Sequence, residues 1–186
     1  MPRVSVIIPT YNRARFIAET VQSVLDQTFT DFEIVIVDDG STDNTREVMG
    51  SFQDSRIKYI YQKNNGVCIA RNNAINASSG EYLAFLDSDD VLLRNSLEKR
   101  VEVLDRHPEV GFSYGQAYLM DEGGQVFGIK KVKHRNSGIR RGTEEIRDFI
   151  VSGYHIPTPT VMVRRRCLFE VGLFDRIYRR IKILPV

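Results

Sequence analysis

The sequence predicts an α/β fold with a mainly parallel sheet flanked by helices, passing into an antiparallel or mixed C-terminal part. Over the first 106 residues, short continuous apolar runs alternate with segments whose apolar residues recur at helical spacing, which is the pattern of β-α units. After Pro108 the alternation gives way to strand-like runs around the Gly-containing turn Asp121-Glu122-Gly123-Gly124, the mark of an antiparallel ribbon. The chain has 186 residues, 42% of them hydrophobic, enough for one compact core. No repeat, low-complexity tract or linker divides it, so residues 1–186 are expected to form one domain.

Each element follows from its local pattern. Val4 to Ile8 is a buried strand closed by Pro9, and Ile17, Val21, Val24 and Leu25 form one apolar helix face. Phe32 to Val37 repeats the strand and ends in Asp38-Asp39-Gly40-Ser41, after which Ser41 or Thr42 is expected to cap a helix carrying Val48, Met49 and Phe52. Ile57 to Tyr61 makes a third strand. The loop Lys63 to Gly66 then leads into a helix with Val67, Ala70, Ala74 and Ile75 on one face. Tyr82 to Leu86 is the fourth strand, followed by a helix for which Asn95 and Glu98 offer a capping box and Leu97, Val101 and Leu104 an inner face. Beyond Pro108, strands are expected at Val110 to Met120, Gln125 to Ile129 and Thr158 to Val163, with a short helix starting at Thr143. Glu144 and Glu145 suit that helix's first turn. Lys130 to Arg141 is rich in Lys and Arg, includes His134 and has no acid, which reads as a basic surface loop.

A formal net charge of +2 gives no overall field for nucleic acid. Cys68 and Cys167 match no metal-ligand spacing and suit a reducing compartment. No apolar run approaches the ~20 residues of a membrane span, and the first strand is too short for a signal-peptide core. These features predict a soluble, cytoplasmic protein.

The chemistry collects at strand ends. Pro9-Thr10-Tyr11-Asn12, Asp38-Asp39 and Asp87-Ser88-Asp89-Asp90 follow the first, second and fourth strands, and in a parallel sheet such ends share one edge. Tyr11 offers a flat face for a base, Asp39 accepts hydrogen bonds from a base or ribose, and Arg71 reaches carbonyl or phosphate oxygens. Together they describe a nucleotide site. Clustered carboxylates are hard oxygen ligands for Mg²⁺ or Mn²⁺ bridging a diphosphate: Asp89 on the metal, Asp87 on the ribose or the metal, Asp90 behind them. Taken singly, each residue also has an ordinary use as a surface, turn or capping group.

Five ordered blocks carry a resemblance: Val4 to Arg13, Ser23 to Thr28, Val37 to Asp43, Gly66 with Ala70-Arg71-Asn72, and Asp87 to Asp90. In order and spacing the chain resembles the family 2 glycosyltransferases of the GT-A fold. The resemblance implies inverting, metal-dependent transfer from a nucleoside-diphosphate sugar, most often UDP-linked, to a glycan or lipid-linked acceptor. Pro9, Thr10, Tyr11, Arg13, Asp39, Arg71, Asp87 and Ser88 then belong to the donor, and Asp87-Ser88-Asp89 is the DXD motif with Asp89 on the metal. Residues 1–106 become the nucleotide-sugar half and 107–186 an incomplete acceptor-side half. The implied setting is polysaccharide synthesis at the inner face of a membrane. Peripheral contact through the basic loop or the tail Ile177 to Leu184 would fit that setting.

A looser likeness through Pro157-Thr158-Pro159-Thr160 and Gly172-Leu173-Phe174-Asp175 puts His155, Thr158 and Asp175 on the acceptor side. The family's general base follows the latter block, yet Arg176 to Val186 contain no Asp or Glu. The expectation is therefore a fragment or variant in which Asp175 orders the acceptor or acts as a substitute base. The alternative is a nucleotide-sugar-binding module with weak catalysis or none.

Overall fold

The computed structural model describes residues 1–131, 138–143 and 156–175. Its first 106 residues alternate as their apolar pattern predicts: β1 (Val4–Thr10), α1 (Ile17–Leu25), β2 (Phe32–Asp38), α2 (Thr45–Gly50), β3 (Ile57–Tyr61), α3 (Val67–Ala77), β4 (Tyr82–Phe85) and α4 (Ser96–Arg106). There follow β5 (Phe112–Ser113), β6 (Ala117–Met120), β7 (Val126–Lys130), a 3₁₀ turn at Thr158–Thr160, β8 (Met162–Arg164) and α5 (Arg165–Val171). The main sheet has the order β3-β2-β1-β4-β8-β5. Its first four strands are parallel; β8 runs against both β4 and β5. β6 and β7 form a separate antiparallel pair around the expected turn.

The continuous apolar runs are explained by burial on both sheet faces. On one face Val4, Val6 and Ile8 of β1 meet Ile17, Val21 and Val24 of α1, together with Leu97, Val101 and Leu104 of α4. On the other, Ile7, Val35, Leu83 and Phe85 pack against Ala70, Ala74 and Ile75 of α3. Successive strand residues point to opposite faces, so β1 contributes to both clusters.

Four local expectations are corrected. Thr158 to Thr160 is a 3₁₀ turn and not the start of a strand. Pro159 has no N–H for a ladder, and its carbonyl is held by Arg100 NH1 at 3.1 Å. The strand expected over Val110 to Met120 is two, β5 and β6, belonging to different sheets. Ser41 and Thr42 do not cap α2; Asn44 is its N-cap, and Asp43 Oδ1 accepts from Thr45 N–H at 3.0 Å. The capping box at α4 does not form, because Glu98 accepts from Thr28 Oγ1 at 2.9 Å. The body of the helix expected from Thr143, most of the basic loop, and the tail Ile177 to Leu184 lie outside the described residues. No helix among the described residues is long and apolar enough to cross a membrane.

Candidate functional site

From β1 the chain steps outward through β2 to β3, then returns to place β4 on the other side of β1. Such a reversal opens a crevice at the carboxyl ends of the strands. Here it is a cleft of about 460 Å³ walled by Pro9, Thr10, Tyr11, Arg13, Asp39, Asp87, Ser88 and Asp89, together with Asn64, Gly66, Val67 and Ala70.

Asn12 shapes the β1 wall. Its φ of 52° lies in the left-handed region, which asparagine tolerates better than most residues. Its Oδ1 accepts from Thr42 N–H at 2.8 Å, and its own N–H donates to Ser41 Oγ at 2.9 Å. Arg13 N–H donates to Thr45 Oγ1 at 3.0 Å and Ala14 N–H to Asp43 Oδ2 at 3.1 Å. The loops after β1 and β2 are thereby stapled into one surface, leaving Tyr11 exposed on its rim.

The paired aspartates after β2 have different tasks. Asp38 is fully buried; it accepts from Ser41 N–H at 2.8 Å and from the Tyr59 hydroxyl. Burial, reinforced by Asp38, pushes that hydroxyl's pKa well above the ordinary tyrosine value. Asp39 lines the cleft and ties down the loop before α3. Its Oδ1 accepts from Gln62 Nε2 at 2.7 Å and Asn65 N–H at 2.8 Å, and its Oδ2 from Gly66 N–H at 2.8 Å.

At the end of β4 two carboxylates meet two arginines. Arg71 NH2 donates to Asp87 Oδ1 at 2.5 Å, and Arg13 Nε to Asp89 Oδ2 at 3.2 Å. Burial, then the charges of Asp87 and Asp89, push the Asp90 carboxyl up to about 6. Thr10 Oγ1 and Arg71 Nε are buried without a hydrogen-bond partner. Arg71 stands behind Asp87, its guanidinium 5.7 Å from the Phe174 ring centroid.

The same helix reaches the late segment. Asn72 Nδ2 donates to Phe174 O at 2.8 Å and Asn72 Oδ1 accepts from Phe174 N–H at 3.0 Å, while the Phe174 ring meets Phe85 edge-on at 5.4 Å. Asp175, exposed, thus follows directly on the residue that packs against Arg71. Neither Thr158 nor Asp175 is on the cleft wall, and His155 lies outside the described residues.

Sequence reasoning named the acidic and basic wall but missed Asn64, Val67 and Ala70 as lining residues. Gly66, quoted only as part of a motif, has a φ of 91°, and this turn brings the start of α3 to the cleft. Its place just before a helical pattern was the available signal.

Among the described residues no three His, Cys, Asp or Glu side chains converge as a metal cage. The hard oxygens of Asp87 and Asp89, crowded by a third carboxyl, nevertheless fit a divalent cation of the kind held by one or two carboxylates plus substrate phosphates.

The family model described as Glycosyl transferase family 2 matches residues 5–172. An uncharacterized glycosyltransferase of Rickettsia bellii is 38% identical over 178 residues, 95% of this chain and 24% of its own length. The Escherichia coli protein WfgD, named UDP-Glc:alpha-D-GlcNAc-diphosphoundecaprenol beta-1,3-glucosyltransferase, is 40% identical over 121 residues, 63% of this chain and 47% of its own. Among solved structures, the mannosyltransferase PcManGT of Pyrobaculum calidifontis, in complex with GDP-Man and Mn²⁺, aligns with a TM-score of 0.67 at 23% identity. That alignment covers 95% of this chain and 48% of that one. The chain spans about a quarter to a half of the length of these relatives.

Proposed function

The chain belongs to glycosyl transferase family 2 and has the GT-A fold, and from that premise we propose that its cleft binds a nucleoside-diphosphate sugar, UDP-linked, for transfer to a glycan or lipid-linked acceptor with inversion. The observation that carries this reading is the convergence of Tyr11, Asp39, Asp87 and Asp89 on one cleft at the sheet's reversal point, with Arg71 paired to Asp87. The UDP-sugar and diphospholipid in WfgD's name support the choice of donor and acceptor.

Tyr11 presents its ring to the base from the rim. Asp39 shapes the pocket floor through the 62–66 loop, and its Oδ2 keeps acceptor capacity for a base N–H. Asp89, with Asp87, is the group that would hold Mg²⁺ or Mn²⁺. The ion, when bound, supplies charge stabilisation for the departing diphosphate. The acceptor hydroxyl attacks the anomeric carbon from the side opposite the departing diphosphate, whose bond to that carbon breaks as the new one forms. A carboxylate there removes its proton, a contribution of about 10²–10⁴-fold in rate. Asp175 is our candidate for that side, as base or as a group ordering the acceptor, with Thr158 and His155 as further acceptor contacts.

Calorimetric titration with UDP in the presence of Mn²⁺ tests the donor site. Binding is expected for the wild type and lost in Asp89→Ala; an Asp89→Ala protein with unchanged affinity and metal dependence refutes the assignment. Donor consumption with a mixture of acceptors then separates a transferase from a binding module. Retention of full transfer by Asp175→Asn excludes Asp175 as the base.

A further inference from the structure

Two arginines from different elements hold the carboxylates at the end of β4, and they are not equivalent. Arg71 has a side chain 16% exposed, is packed on Phe174 and bonds Asp87 at 2.5 Å. Arg13 has a side chain 43% exposed, and its 3.2 Å bond reaches a carboxylate that is itself 44% exposed. The main chain of Arg13 is fixed separately, by its N–H to Thr45 Oγ1. Its NH1 also donates to Asn12 O at 3.2 Å, but that carbonyl is no part of the loop staple, so the guanidinium can leave Asp89 without disturbing it. Arg71 has no such freedom.

A cation that binds Asp89 competes with the Arg13 guanidinium, which holds Oδ2 and whose positive charge repels the ion. A diphosphate entering the cleft without a cation meets Asp39, Asp87 and Asp89. When both ligands arrive, the displaced guanidinium has an anionic partner again. Arg13 recognises phosphate as well as carboxylate, because its planar fork suits both.

We propose that Arg13 couples metal and donor binding: it occupies Asp89 in the empty cleft and transfers to the diphosphate when a divalent cation takes its place. This rests on the nucleotide-sugar reading of the site. Each ligand then raises the other's affinity by the same factor, as linkage requires. An exposed ion pair of this kind shifts metal affinity by about two- to fivefold, and a charged hydrogen bond to phosphate shifts donor affinity by about tenfold.

The test follows the electron paramagnetic resonance signal of free Mn²⁺ during titration of wild type and Arg13→Gln, with and without UDP. With Mn²⁺ alone, Arg13→Gln is expected to bind the ion about two- to fivefold more tightly. In saturating Mn²⁺ it is expected to bind UDP about tenfold more weakly, so the two effects have opposite signs. A purely structural role for Arg13 would weaken both. Arg13→Lys keeps the charge and is expected to restore weak metal binding with part of the coupling. Equal Mn²⁺ affinity in wild type and Arg13→Gln, or an unchanged effect of UDP on it, overturns the proposal alone. A wild type that binds neither Mn²⁺ nor UDP overturns the donor-site reading and the coupling with it.

Discussion

Asp39 gives its carboxylate to three donors of its own chain, two of them backbone N–H groups at Asn65 and Gly66. Its effect on a ligand therefore comes through the shape of the 62–66 loop as well as through contact. Asp39→Ala strands those N–H groups and is expected to cost about 1–3 kcal/mol in urea unfolding. UDP affinity should fall in parallel; an unfolding free energy equal to the wild type's would remove the loop-anchoring role. The sequence revealed that Asp39 matters because it ends an apolar run with an acid. Its three partners were hidden, since Gln62, Asn65 and Gly66 meet it only once β3 lies beside β2. The division of labour in Asp38-Asp39 was equally hidden. The partner of Asp38, Tyr59, is on a strand whose register the sequence does not state.

At the scale of elements, Arg164, the last residue of β8, and Arg165, the first of α5, close the ends of two helices. Arg164 donates to the carbonyls of Leu104 and His107 at the C-terminal end of α4 and to that of Val110 in the turn beyond it. Arg165 donates to Ile75 O at 3.2 Å, in the last turn of α3, and to Gly80 O at 2.6 Å, just past it. Carbonyls left over at a helix end attract cations, so the junction of β8 and α5 holds both layers of helices. Arg165→Ala is expected to destabilise the protein by about 1–3 kcal/mol. Its loss should raise amide exchange at Ile75 to Gly80 first; uniform exchange across the sheet would contradict a local role. Periodicity located α3 and α4 but not these caps, which come from residues about 60 to 90 positions away. The capping groups that the sequence offered locally were taken by tertiary partners, as with Glu98 and Thr28.

Across the whole molecule, the first apolar cluster shares no residue with the cleft wall. The two apolar clusters lie between sheet and helices, and the cleft lies beyond the strand ends. Leu97 is fully buried in the first cluster, so Leu97→Ala is expected to cost about 2–5 kcal/mol by thermal or urea unfolding. UDP binding by the fraction still folded should be unaffected, and a large loss of affinity would show that core and cleft are coupled. The parallel half was legible because β-α alternation is local. In the later part the β6-β7 ribbon was legible from its turn, but the completion of the sheet was not, since β8 returns from far along the chain to lie against β4. That order of assembly has a consequence during synthesis. β4 can join β1 as soon as residue 85 and the helices around it are available, but its other edge has no partner until Met162 has been made. At about 5–20 residues per second the ribosome leaves Tyr82-Leu83-Ala84-Phe85 as an open, apolar strand edge for roughly 4–15 s. Nascent chains stalled in that interval should be the most prone to aggregate or to recruit chaperones.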